Sequence, residues 1–185
     1  IKGDHGGSAK PLRDGKGSSY EGGQRVPCVM RWPGKIPAGT ECNEVATAMD
    51  MLPTFSAISG IKPPADLKLE PDGHNIENLI MGGPEEKTPY TTFYYSNNSG
   101  VRSGPWKYRA GRKYGNWAFP RGEMPKDNPQ EKQLFHLIKD IGETRNVIDQ
   151  HPEIAERLVA LIDQSPNHTM KLFKTGKPKG KRYEF

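Results

Sequence analysis

"LRDGKGSSYEGGQRVP", residues 12–27, is the most unusual stretch of this 185-residue chain. It places Lys16 between two glycines, continues to a second pair, Gly22-Gly23, and ends on Arg-Val-Pro. Glycines let a backbone turn sharply and approach another group closely, and an ammonium is a compact charge that suits a tetrahedral oxyanion. The residues alone leave two interpretations open: a lysine presented to an anionic ligand, or a solvated lysine on a surface loop.

Known nucleotide and nucleophile motifs do not fit this stretch. A Walker A loop is excluded because Lys10 stands in place of its first glycine and Gly17 in place of its Ser or Thr. The dinucleotide fingerprint fails because Tyr20 replaces its third glycine. The G-x-S-x-G elbow of Ser hydrolases is also absent. Glu21 and Arg25, four residues apart, can pair and hold the return path of the loop.

The composition indicates a folded but loop-rich protein. The chain has 21 glycines and 17 prolines, and its mean hydropathy is −0.81. The net charge of +5 owes much to the tail Lys171–Arg182, "KLFKTGKPKGKR", which holds lysines and one arginine but no acid. Such a tail is either a solvated terminus or a site for a polyanion.

Cysteine usage, hydrophobicity and the first residues exclude several classes. Cys28 and Cys42 form neither a disulfide framework nor the C-x-x-C pair of a structural zinc site. No apolar run approaches the ~20 residues of a membrane-spanning helix, so we expect no membrane contact. Because the chain opens in mid-loop on "IKGDHGGS" without an initiator methionine, we expect it to be part of a longer protein.

Residues 26–89 predict one strand and two helical segments. The apolar run Val26–Trp32, "VPCVMRW", predicts a short buried strand. Met51–Ser59 predicts a helix that Asp50 caps and Gly60 ends. Asp72–Gly83 predicts a turn followed by one or two helical turns. The apolar residues that recur on one face of the first helix are Leu52, Phe55 and Ile58.

From Tyr90 onward the pattern predicts antiparallel strands and a helix. "YTTFYYS", "VRSGPWKYRAG" and "QLFHLI" are aromatic and β-branched, with Gly, Pro and Asn between them. The polar excursion Phe119–Gln130 predicts a surface loop. In "HPEIAERLVALIDQ", Pro152 fits a first helical turn and an apolar stripe follows. We therefore expect a helix packed on a small antiparallel sheet. The stripe consists of Ile154, Leu158, Leu161 and Ile162.

Five segments, taken in chain order, carry a resemblance. They are "PLRDGKGSSYEGGQRVPCVMRWPGKIPAGT", "TAMDMLPTFSAISG" with its D-x-L-P-T helix, "PDGHNIENLIMGG" with a D-G-x-x-[LI] turn, "VRSGPWKYR" with R-x-x-x-W-K-Y, and "QLFHLIKDIGETRNV" with L-[YF]-[DNH]-L-x-x-D-x-x-E-x-x-N. Together they resemble the carboxyl half of the arylsulfatase family, the sulfuric-ester hydrolases of the alkaline-phosphatase superfamily. The resemblance covers roughly residues 10 to 162.

The resemblance implies the fold and its division. The class is α/β, of the alkaline-phosphatase type. Residues 1–89 would be the C-terminal part of the large α/β domain, and residues 90–170 a small antiparallel sheet with a C-terminal helix. Residues 171–185 would form a basic tail.

The resemblance also implies a role for the lysine. In the family, the lysine of the G-K-G loop binds the sulfate oxygens, and by motif this residue is Lys16. Its ammonium would stabilise the charge that develops in the transition state. Arg13, Glu21 and Arg25 would support the loop, so the glycines would shape a loop that delivers one cation to a sulfate.

The family's nucleophile and most of its metal ligands have no counterpart here. The family uses a formylglycine made in C-x-P-S-R or C-x-A-x-R, and neither cysteine lies in such a sequence. Its calcium ligands include an S-D-N-G element. Asp4-His5-Gly6-Gly7 resembles the S-D-H-G variant but lacks the Ser and stands too close to Gly15. We expect no metal site in this chain, with Asp4 as the alternative calcium ligand, and we expect His5 to touch substrate at the rim.

The implied function is hydrolysis of an aryl or carbohydrate sulfate through a calcium-bound formylglycine. Because both would lie in a missing N-terminal part, this chain alone would be inactive. The expected partners are a sulfated small molecule or glycan and that missing part, with no nucleic acid, and the expected location is periplasmic, extracellular or lysosomal. Two alternatives stay open: a phosphonate or phosphate monoester hydrolase of the same superfamily, and a basic module that binds sulfated glycans or nucleic acid through the tail.

Overall fold

The computed structural model describes residues 8–16, 18–61, 73–82, 86–95, 99–111 and 131–165. The chain divides into two compact units. The first, here called the sheet unit, comprises Ile1–Val26 and Thr92–Phe185, and the second, the helix unit, comprises Pro27–Thr91. This division places the loop around Lys16 with the later sheet. The assignment of residues 1–89 to the large α/β domain of a longer protein stays a prediction.

The sheet unit contains a four-stranded antiparallel meander. Its strands are β1 (Phe93–Tyr94), β2 (Gly100–Ser103), β3 (Trp106–Arg109) and β4 (Gln133–His136), and they lie side by side in that order. The antiparallel strands predicted from the aromatic and β-branched segments are therefore confirmed. The predicted loop Phe119–Gln130 lies outside the described residues.

One face of this sheet packs against the last helix, α4 (Pro152–Asp163). In β3 and β4 successive side chains alternate between faces, and Tyr108 is paired with Val101 on one side and Leu134 on the other. The helix begins with Pro152 at its first turn and presents the predicted apolar stripe to this face. The buried members of this core are Val101, Tyr108, Leu134, Ala155, Leu158 and Ile162.

The opposite face of the sheet carries polar residues and is covered by a loop rather than a helix. This segment, Leu12–Val26, is called the lysine loop below, and it contains one helical turn, α1 (Glu21–Gln24). Its Tyr20 packs with Phe135 and Leu137, with partly buried Ile141 at the edge. The charged side chains of β3, Lys107 and Arg109, are 0% and 1% exposed. From Lys107 to Arg109, side chains on both faces of the sheet are thus buried.

The helix unit contains α2 (Met51–Ser59), as predicted, and α3 (Glu77–Met81) after the predicted turn. Gly60 ends α2 in the left-handed conformation, with φ of 70°, which glycine adopts readily. Asp50 does precede α2, but its carboxylate does not cap that helix. It accepts hydrogen bonds from the backbone N–H groups of Thr47 (2.6 Å) and His74 (2.8 Å), and from the Tyr90 hydroxyl (2.5 Å).

The prediction of a buried strand at Val26–Trp32 is wrong. The segment forms no ladder with any described residue, and Val26 and Val29 are 81% and 92% exposed. An apolar run becomes a buried strand only when a neighbouring strand accepts its backbone hydrogen bonds, and the described parts of the chain supply none here. Among the same residues, no helix combines the length and apolar character that crossing a bilayer requires.

Candidate functional site

The lysine loop is shaped by close backbone contacts. Asp14 adopts a left-handed conformation, with φ of 61°, and its Oδ1 accepts the N–H of Gly15 at 2.8 Å. The Gly22 N–H donates to the Arg13 carbonyl at 2.9 Å. A side chain on Gly22 would collide with the carbonyl oxygens of Arg13 and Asp14, whereas one on Gly15 would meet open space. Close approach therefore requires glycine at position 22.

Beneath the loop lies a group of three buried charged residues, here called the ionic cluster: Glu21, Lys107 and Glu143. The Lys107 Nζ donates to Glu21 Oε1 at 2.7 Å and lies 2.7 Å from Glu143 Oε1 in ion-pair contact. The backbone N–H of Glu21 donates to Glu143 Oε2 at 2.6 Å. The three side chains are at most 2% exposed. Lys107 thus has a carboxylate on each side, and this pairing matters because a lone buried charge is costly.

Further groups surround Glu21. The Tyr95 hydroxyl donates to its Oε1 at 2.5 Å, and Arg25 Nε donates to its Oε2 at 2.5 Å. The Lys107 ammonium also stands 4.3 Å from the centre of the Tyr95 ring, in a cation–π contact. The Glu21 carboxylate thus accepts hydrogen bonds from Arg25 of its own loop and from Tyr95 and Lys107 outside the loop.

The surroundings of Glu21 and Glu143 shift the pKa values of the two carboxyls in opposite directions. Burial alone raises the pKa of Glu21, but the charge of Lys107 and hydrogen bonds from Lys107, Tyr95 and Arg25 lower this pKa to about 2. Burial raises the pKa of Glu143, and here Lys107 offsets only part of the effect. Burial and the carboxylate of Glu21 raise the pKa of Tyr95 well above its ordinary value. Of the two carboxyls, Glu21 is the one that its partners hold ionised.

A second contact joins the loop to the sheet through Tyr20. The guanidiniums of Arg13 and Arg109 lie over its ring, 4.1 Å and 4.3 Å from the centre. The Tyr20 hydroxyl and Arg109 Nη1 both donate to Gln133 Oε1, each at 2.9 Å. Arg109 Nε reaches Ser19 Oγ at 2.8 Å. The loop is therefore held by an ionic and an aromatic contact side by side.

The structure places the predicted site residues as follows. Lys16 is exposed on the lysine loop, and no hydrogen bond among the described residues involves its ammonium. Arg13 donates through Nη1 to the Glu143 carbonyl at 2.6 Å, and Glu21 and Arg25 form the ion pair given above. His5 and Asp4 lie outside the described residues.

Sequence reasoning missed the residues that hold the loop from the sheet side. Lys107 and Arg109 alternate with Tyr108 in "WKYR", a pattern that would have placed both on one face of β3. Because charged residues at alternate positions usually face solvent, the signal pointed to an exposed face rather than to an ionic contact.

The described residues do not fit a calcium site. No group of three or more His, Cys, Asp or Glu side chains in the described ranges could hold a metal ion. The ionic cluster has two carboxylates, but a lysine ammonium fills the place between them. The cluster is therefore suited to holding the lysine loop on the sheet rather than to binding a metal ion.

Comparisons with known proteins give a consistent result. A family model described as N-sulphoglucosamine sulphohydrolase, C-terminal, matches residues 14–167. The chain is 33% identical over 175 residues to arylsulfatase A of Bos taurus, covering 86% of this chain and 33% of that protein. It is 29% identical over 157 residues to the N-acetylgalactosamine-6-O-sulfatase of Bacteroides thetaiotaomicron, covering 82% of this chain and 29% of that one.

A solved structure agrees with these relatives. A Bacteroides thetaiotaomicron protein, described in terms of the metabolism of multiple glycosaminoglycans, superposes with a TM-score of 0.64 at 28% identity, over 83% of this chain and 31% of that one. The chain therefore spans about a third of the length of the proteins that it matches.

Proposed function

Because this chain belongs to the sulfatase family, as the match over residues 14–167 shows, we propose that it is the C-terminal portion of an enzyme that hydrolyses sulfate esters. We propose further that Lys16 contributes the cation that this portion presents to the sulfate. The fold is that of the alkaline-phosphatase-like sulfatases, ending in the small sheet and α4.

The observation that carries the proposal is an exposed ammonium on an anchored loop. Lys16 is exposed, whereas Tyr20 and Glu21, a few residues further along, are each 2% exposed. A cation held on a fixed loop loses less freedom on meeting an anion than one on a free loop. Such a group stabilises the negative charge on sulfuryl oxygens as the ester bond breaks.

We propose an aryl or carbohydrate sulfate as the substrate. Support comes from the printed names of the relatives, an arylsulfatase and an N-acetylgalactosamine-6-O-sulfatase. The relation of the solved structure to glycosaminoglycan metabolism favours a sulfated glycan. A periplasmic, extracellular or lysosomal location would suit such a substrate and belongs to the same proposal.

The calcium and the formylglycine expected from the family resemblance stay proposals for the parts of the protein outside this chain. Among the described residues, no group of three or more His, Cys, Asp or Glu side chains could hold a metal ion. When bound, calcium would withdraw charge from the sulfuryl oxygens. The chain alone should leave an aryl sulfate such as p-nitrophenyl sulfate unhydrolysed, and turnover by the purified chain would contradict this.

A sulfate titration tests the role of Lys16. Inorganic sulfate is added to the chain at low ionic strength, and backbone amide shifts of the lysine loop report the dissociation constant. Lys16→Met should weaken sulfate binding about tenfold or more, since one charge-assisted contact contributes about 1.5–3 kcal/mol. Lys35→Met is the matched control, because Lys35 is also an exposed loop lysine that follows a glycine, and it should change binding by less than about twofold.

Two results of this titration would count against the proposal. Equal affinities of Lys16→Met and the unsubstituted chain would remove Lys16 from the anion site. If instead deletion of residues 171–185 abolished sulfate binding while Lys16→Met did not, the basic tail would be the binding element, and the chain would act as a basic binding module.

A further inference from the structure

The ionic cluster contains one cation that the proposed sulfate contact does not use. Lys107 is 0% exposed, and its ammonium lies between two carboxylates and the ring of Tyr95. A charge that deep in a protein persists only where its partners are all in place. Its position therefore constrains every segment that supplies a partner.

Those partners come from separate parts of the sheet unit. Glu21 belongs to α1 of the lysine loop, Lys107 to β3, and Glu143 to the turn that follows β4. Glu143 has a φ of 50°, a left-handed conformation that is unfavourable for a residue with a side chain and persists only where its surroundings hold it.

Glu143 holds the lysine loop at two points, one on each side of Lys16. Its backbone carbonyl accepts from Arg13 Nη1 at 2.6 Å, and its carboxylate accepts from the Glu21 N–H at 2.6 Å. Arg13 precedes Lys16 in the sequence and Glu21 follows it. The segment that presents Lys16 is therefore closed at both ends by one residue, and Lys107 fixes the carboxylate of that residue.

We propose that Lys107 is a positioning residue for the sulfate contact, since its ammonium holds Glu21 and Glu143 together and so fixes where the loop presents Lys16. This inference rests on the proposed function. It assigns no contact between Lys107 and sulfate. Loss of the ammonium would leave the loop free to shift, and a shift of about 1 Å is enough to weaken a positioned contact strongly.

If Lys107 has this role, sulfate binding by Lys107→Met should depend on pH. Without the ammonium, the carboxylates of Glu21 and Glu143 would share a buried site, and one of them would have to take up a proton. Glu21 also faces the Tyr95 hydroxyl and the guanidinium of Arg25, and the guanidinium of Arg13 lies against the backbone carbonyl of Glu143. The pKa of the Tyr95 hydroxyl is raised well above its ordinary value, so this group stays protonated between pH 5 and 8. Anchoring of the loop should then improve as the pH falls.

The experiment measures the dissociation constant of inorganic sulfate from pH 5 to pH 8 for Lys107→Met, and divides it by that of the unsubstituted chain at each pH. We expect this ratio to be about ten or more at pH 8 and to shrink toward pH 5. Lys35→Met removes the same charge from an exposed loop and should give a ratio within about two at every pH.

A second variant tests whether charge or volume is responsible. Lys107→Met with Glu143→Gln leaves a single carboxylate in the cluster, and the amide oxygen can still accept the Glu21 N–H. We expect the ratio to return to within about three and to lose its pH dependence. Circular dichroism of each variant establishes that the chain is folded before sulfate is added.

Several outcomes would overturn the inference. One is a Lys107→Met chain that binds sulfate like the unsubstituted chain at all pH values. Another is weakened binding that neither low pH nor Glu143→Gln restores, as a merely structural role would give; failure of the double variant to fold would have the same meaning. Lys16→Met, measured in parallel, separates the two proposals: if it binds sulfate normally, the proposed function fails, whereas a loss in Lys16→Met alone leaves that function standing without the role of Lys107.

Discussion

The sheet unit and the helix unit differ in how fully they bury their apolar residues. In the sheet unit Val101, Leu134 and Leu158 are 0% exposed, because they lie in the core between the sheet and α4. In the helix unit the described residues at 0% exposure are Asp50 and Thr54, and the buried apolar residues Ile76 and Leu79 are 4% and 6% exposed. The apolar face of α2 is open by comparison, with Leu52 at 59% and Phe55 at 54% exposure.

This contrast shows that an amphipathic helix contributes to stability only where a surface receives its apolar face. Both α2 and α4 carry an apolar stripe, but only α4 has a sheet beneath it among the described residues. Burial of apolar area is the main favourable term in folding. The stability of the sheet unit should therefore depend on its helix residues far more strongly than the stability of the helix unit depends on the exposed residues of α2. In the helix unit, Asp50 and Thr54 accept hydrogen bonds from the backbone N–H groups of Thr47, His74 and Ile76.

The largest expected effect compares one leucine from each helix. Leu158→Ala should lower the free energy of unfolding of the sheet unit by about 3 kcal/mol, because it empties a fully buried site. Leu52→Ala should lower that of the helix unit by less than about 1 kcal/mol, since its side chain is more than half exposed. Urea unfolding, followed by residue-resolved amide exchange, measures the free energy of unfolding of each unit. Equal decreases for the two variants would contradict the difference between the units.

A smaller effect is expected from two glycines of the lysine loop. Gly22→Ala should destabilise the sheet unit by about 1–3 kcal/mol, because the new methyl group would meet the carbonyl oxygens of Arg13 and Asp14. Gly15→Ala, where a methyl group would meet open space, should leave stability unchanged within about 0.5 kcal/mol. The same unfolding measurement applies. If Gly22→Ala were as mild as Gly15→Ala, the close packing of the loop would be refuted.

The smallest effect is a change of slope in acid. Because the pKa of Glu21 is lowered from 4.5 to about 2, its ionisation contributes stability that is present above pH 4.5 and is lost as the pH falls toward 2. Glu143, whose pKa is raised by burial, acts in the opposite sense. Glu21→Gln should therefore flatten the acid loss of unfolding free energy, by at most about 1.4 kcal/mol per pH unit. Parallel curves for the two proteins between pH 5 and pH 3 would show that Glu21 is not held ionised by the cluster.

Much of the local structure could be predicted from the sequence because it depends on nearby residues. The stripe of Leu158 and Ile162 behind Pro152 predicted α4, and Gly60 predicted the end of α2. Val26–Trp32 could not be predicted in this way. An apolar run predicts that its side chains are buried, but it does not indicate whether another strand is present to pair with it.

The anchor of the candidate site lay beyond sequence reasoning for a related reason. Lys16 was identified by its motif, and the pairing of Glu21 with Arg25 follows from a spacing of four residues. Lys107, by contrast, contacts Glu21 from a position 86 residues away in the sequence, and Glu143 contacts Glu21 from a position 122 residues away. Only the folded sheet brings these charges together, with Lys107 turned toward the loop rather than toward solvent.

The most direct test of the account is the hydrogen exchange of the Glu21 amide in the native chain. This N–H is buried and donates to Glu143 Oε2 at 2.6 Å, so if the lysine loop is part of the sheet unit it can exchange only when that unit opens. We predict protection equal to that of the hydrogen-bonded amides of β3. Exchange at the rate of an open loop, while the β3 amides stay protected, would show that the loop is not anchored and would contradict the account.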